Sequence, residues 1–111
     1  MPEEVLAHGS MKPQHGGQVA LTGDTLVELV RAPSGVSVYV TDDDGVPLAA
    51  AGMTGKLIVT QGAMKSETTL KSGAGNQLDA AGLEIPAGAK VTVTLVDNAT
   101  QAHSMVSFTA K

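Results

Sequence analysis

Imidazole nitrogens and thioether sulfurs gather in two places along this chain. His8, Met11 and His15 fall in the stretch His8-Gly-Ser-Met11-Lys-Pro-Gln-His15-Gly-Gly, and His103 stands two residues before Met105. Such donors are soft or borderline ligands, suited to Cu(I) and Ag(I) and, for histidine, to Zn(II) or Cu(II). The 111 residues include 3 His and 5 Met but no Cys. A thiolate site, a disulfide framework and a cysteine nucleophile are therefore excluded together. The candidate metal ligands are His15, His103 and Met105, with Met11 and His8 as further donors. Cu(I) or Ag(I) suits the thioethers best, and Zn(II) comes second because three histidines are few.

Other chemistries find little support. There is no Gly-x-Ser-x-Gly elbow and no HExxH helix, so a binding protein is expected and an enzyme is not. Ser72-Gly-Ala-Gly-Asn76 lacks the Lys-Ser/Thr ending and following helix of a phosphate loop. It reads as a surface turn with Asn76 in the left-handed region. Asp42-Asp-Asp-Gly45 lacks the alternating ligands and closing Glu of a twelve-residue calcium loop, and Asp-Gly between apolar strands signals a turn.

Net charge −4 and pI near 5.1 argue against binding the phosphate backbone of nucleic acids. One Tyr, one Phe and no Trp leave little on which single-stranded bases could stack. No segment approaches the roughly 20 apolar residues of a membrane span. The first seven residues have neither a basic region nor a long apolar run, so no signal peptide is read there; an exported protein would have shed it.

The elements that must position these ligands are strands. Residues 1–17 carry Gly, Pro and polar groups without periodicity and predict a flexible N-terminal arm. Residues 18–111 predict a single β domain with an aliphatic core. Thr25–Arg31, Val36–Thr41, Lys56–Gln61, Met64–Leu70 and Lys90–Val96 are β-type runs between turn residues, and Val46-Pro-Leu48 reads as a short edge strand. Seven or eight such strands point to an immunoglobulin-like β-sandwich, with a small barrel as the alternative. In the last strand, alternation sends Val106 and Phe108 inward and His103 and Met105 outward, their Cα atoms about 6.5–7 Å apart. The arm is then expected to bring His15 to that outer face.

The order His15-Gly-Gly-Gln-Val19, Glu28-Leu-Val30, Val38-Tyr-Val-Thr-Asp42, Gly45-Val-Pro-Leu48, Gly52-Met-Thr-Gly-Lys56, Leu70 and Gly75-Asn-Gln-Leu78 resembles a group of small exported bacterial β-domains. These occur beside, or fused to, heavy-metal efflux adaptor proteins. The resemblance implies a periplasmic location and a part in copper, silver or zinc handling, with His15 the one residue carried over as a ligand. The function expected is a soft-metal-binding accessory domain in heavy-metal resistance or efflux. The alternative is a non-catalytic interaction module that docks on an efflux adaptor or another envelope protein.

Overall fold

The computed structural model describes residues 12–111; His8 and Met11 lie outside them. Eight strands follow in chain order: β1 (Gln18–Thr22), β2 (Thr25–Ala32), β3 (Gly35–Asp42), β4 (Met53–Gln61), β5 (Met64–Ser72), β6 (Gln77–Ala81), β7 (Lys90–Asp97) and β8 (His103–Thr109). A 3-10 turn, Ala50–Gly52, precedes β4. No helix among the described residues is long and apolar enough to cross a membrane.

The strands lie in the order β1-β2-β3-β6-β5-β4-β7-β8, and every pairing between them is antiparallel. Read from β2, the halves β2-β3-β6-β5 and β4-β7-β8 reproduce the A-B-E-D and C-F-G orders of an immunoglobulin-type sandwich. Strand β5 joins the halves: a long hairpin ties it to β4, and Lys71 and Ser72 alone pair with β6. Strand β1 adds a further hairpin at the open side and curls toward β8. There the Gln18 side chain spans the seam, donating to the Thr109 carbonyl and accepting from the Lys111 N–H. The sandwich is thus rolled into a nearly closed barrel.

The strand alternation sorts the side chains as the residue pattern predicts. Val27 and Leu29 on β2, Val36, Val38 and Val40 on β3, Leu57 on β4 and Val91 and Val93 on β7 fill the interior. Val106 and Phe108 join them from β8, while His103 and Met105 face outward. The Gly62-Ala63 hairpin forms as expected, with Gly62 at φ 59; the turn needs that positive φ at its first central position.

Two local expectations are corrected. Val46-Pro-Leu48 forms no strand, only an isolated bridge between Thr41 and Pro47; the Asp42 N–H reaches the Val46 carbonyl and the Leu48 N–H the Val40 carbonyl, and the ladder extends no further. In the Ser72–Asn76 loop the left-handed residue is Gly75, φ 62, not Asn76. Glycine adopts that backbone without steric cost. The Asn76 side chain is committed elsewhere, its amide donating to the Val40 carbonyl at 3.0 Å.

Candidate functional site

Strand β2 departs from simple alternation. Leu26, Val27, Glu28 and Leu29 are all buried, although only Val27 and Leu29 point into the core cluster. Leu26 and Glu28 belong to the outer face, in register with Thr41 and Tyr39 of β3 and, for Glu28, with Val19 of β1. The segment before β1 crosses Glu28 and donates to its carboxylate, and Leu26 lines a pocket together with Gln14, His15, Val19 and Pro47.

Glu28 is the buried charged residue of the described chain, 4% exposed, and its carboxylate is fully engaged. Oε1 accepts from the Gln14 N–H at 3.0 Å and faces His15 Nδ1 at 3.0 Å. Oε2 accepts from the N–H groups of His15 and Gly17, each at 2.9 Å. Burial alone would push this carboxyl up. The His15 side chain and the three backbone donors outweigh that effect and hold its pKa below the ordinary 4.5. The group is therefore ionised at neutral pH, and hydrogen bonds to the charged form are what keep it so.

An ionised carboxylate only accepts, so the proton of a neutral His15 ring must sit on Nδ1. The Nε2 lone pair is then left for another partner. The ring is fixed a second way, stacked on Tyr39 with centroids 3.6 Å apart and planes 7° from parallel. Its side chain nonetheless stays 41% exposed. Position, tautomer and access are set together.

The His15-Gly-Gly motif has a backbone explanation as well. Gly16 turns the chain at φ 76, and a Cβ on Gly17 would overlap the Leu29 carbonyl. Only glycine lets the chain turn here and then pass flush against β2.

Beside this cluster lies a pocket of about 210 Å³, bounded by His15, Glu28 and Tyr39, by Leu26 and Pro47, and by Asn76. Residues widely spaced in the chain thus meet around one cavity. It is smaller than the roughly 300–1,000 Å³ of pockets that enclose drug-sized ligands. An ion or a single side chain fits it better.

The other expected ligands lie elsewhere. His103 and Met105 share the outer face of β8, opposite Val96 and Thr94 of β7, and Met105 is 63% exposed. The His15 ring rests on β3, which β2 and β1 separate from β8, about 14 Å around the wall at ordinary strand spacing. Thr109 is the β8 residue reached by Gln18, and His103 lies six positions before it, about 20 Å along an extended strand. The structure therefore pairs His103 with Met105 but does not bring His15 to them. The local reason is Glu28, which draws the arm across β2.

Among the described residues, Asp42, Asp43 and Asp44 form the group of acidic or histidine side chains whose ligand atoms lie within 4.8 Å of one another. Turn chemistry accounts for it: Asp42 Oδ1 accepts from the N–H groups of Asp44 and Val46, and Gly45 takes φ 85.

Glu28 and Tyr39 escaped the reading of the sequence as site residues. A signal was present, since Glu28 interrupts an apolar run and shares its parity with Leu26, an apolar residue on a face that should be polar. In comparisons with known proteins, no family model, no curated protein and no solved structure matches this chain.

Proposed function

We propose that this protein is a periplasmic, soft-metal-binding accessory domain of heavy-metal resistance or efflux, with His15 as its anchoring ligand. The supporting observation is the Nδ1–Glu28 bond at 3.0 Å. Ligating histidines commonly donate their other ring N–H to a carboxylate, which fixes the tautomer and raises the basicity of the ligating nitrogen. Stacking on Tyr39 holds the ring in that orientation before any ion arrives, so little ordering entropy remains to oppose binding.

One imidazole does not retain an ion, so the coordination shell is completed from elsewhere. Met11 and His8, which lie outside the described residues, supply a thioether and a second imidazole a few residues away in the chain. An efflux adaptor or other envelope partner is the other source. Cu(I) and Ag(I) match that donor set, with Zn(II) second. His103 and Met105 form a separate two-donor pair on β8 and are not part of this site. The reading assigns no catalytic step.

Titration of the full chain with Ag(I), followed by NMR, tests the proposal. The His15 imidazole resonances are expected to move by one equivalent, and His15→Ala to abolish high-affinity binding. A His15 signal unmoved by stoichiometric Ag(I) and by Zn(II) overturns it.

A further inference from the structure

The outer face of β1–β3 buries Leu26 and Glu28, at 7% and 4% exposure, away from the core. The segment just before β1 lies over Glu28, and its Gln14 and His15 line a pocket with Leu26. We infer that this segment is a metal-tightened cover: a cation on His15 Nε2 strengthens the hold of residues 14–17 on Glu28, and loss of the cation raises the population in which they release and expose a face that holds Leu26, Glu28 and Tyr39. The inference rests on the His15 reading above and adds to it a regulatory consequence.

Three features support the coupling. First, the hydrogen bonds from Gln14, His15 and Gly17 to β2 converge on a single carboxylate. These hydrogen bonds thus share one acceptor group, and the His15 stack on Tyr39 adjoins it, so docking at this point makes or breaks them together. Second, a cation on Nε2 withdraws electron density from the ring and makes Nδ1–H a stronger donor to Glu28. The ring lies between cation and carboxylate, so each strengthens the other's hold. If docking raises metal affinity, metal must raise docking by the same factor. Third, the close passage of Gly17 along Leu29 restricts the docked path to one backbone course, giving a defined closed state for the cation to select.

Released, the segment leaves an ionised carboxylate beside apolar Leu26 and an aromatic ring. Metal occupancy would then shift how often this face is covered from within.

The test is amide hydrogen exchange of Gln14, His15 and Gly17 in the full chain, with and without Ag(I). At free Ag(I) 100-fold above its Kd, the open population falls by about 100-fold if only the closed form binds, and exchange slows accordingly. His15→Ala should remove the slowing. Gly17→Ala retains His15 and Glu28 but obstructs the docked path, so Ag(I) binding measured by calorimetry should weaken at least about 10-fold, as for loss of a supporting group around a ligand. Ag(I) binding at His15 with unchanged exchange, or Gly17→Ala binding as tightly as wild type, overturns the cover while leaving the metal reading intact. No binding at His15 overturns both.

Discussion

Gly17 runs so close to Leu29 that a single added methyl would overlap the Leu29 carbonyl oxygen. That contact belongs to the backbone of a central structural strand, which cannot retreat without disturbing its pairing to β3. Gly17→Ala is therefore expected to lose about 1–3 kcal/mol, the usual range for overpacking, or to relieve the clash by undocking the segment. Gly16→Ala meets no neighbour and suffers only its φ of 76, about 1–2 kcal/mol. Urea denaturation of the two variants should rank them in that order.

Removing the Glu28 side chain strands the donors it serves. Glu28→Ala is expected to cost about 1–3 kcal/mol, the range for leaving buried polar groups without partners. Glu28→Gln should be milder because one oxygen still accepts. Both should lose amide protection at Gln14, His15 and Gly17, while the β4–β7 ladder keeps its protection pattern. Hydrogen exchange by NMR separates the local effect from global unfolding.

Acid should act through the same residue. The folded pKa of Glu28 lies below its ordinary 4.5, so the unfolded chain takes up a proton first as pH falls. The stability Glu28 contributes is fully present above the unfolded value and is lost as pH drops through the folded one. Below about pH 4.5 the wild type should lose stability faster than Glu28→Gln, whose difference from it should shrink with falling pH. Denaturation midpoints between pH 6 and pH 3 measure this; parallel curves for the two proteins would refute it.

Stability and metal binding should separate by position. Leu57, fully buried, should lose about 2–5 kcal/mol on substitution by Ala, and Phe108→Ala about 3–5 kcal/mol. His103→Ala combined with Met105→Ala should stay within about 0.5 kcal/mol of wild type, as exposed substitutions usually do. The double variant should also leave the Ag(I)-dependent shift of His15 unchanged. A diminished His15 shift would mean that β8 donors reach its site after all.

Much of the fold was legible before any coordinates. Val36, Val38 and Val40 show the period-two pattern that names both the strand and its inner face, and Val106 and Phe108 do the same for β8. Turns were legible wherever glycine or aspartate chemistry dictates them, as at Gly62 and Asp42–Gly45. The pattern misled at Val46-Pro47-Leu48, where the apolar run is too short to carry pairing past a single bridge, and at Asn76, whose amide found a better partner in Val40.

Side-chain parity, an aliphatic interior and the absence of thiolate chemistry follow from residue type and local spacing, because a strand alternates wherever it lies. The partners of His15 do not. Its meeting with Glu28 and Tyr39 depends on the register of β2 against β3 and on the route taken by the chain before β1, both of which are non-local. A buried carboxylate with four donors around it decided that route. It carried His15 onto β3 and left His103 and Met105 as a separate pair on β8.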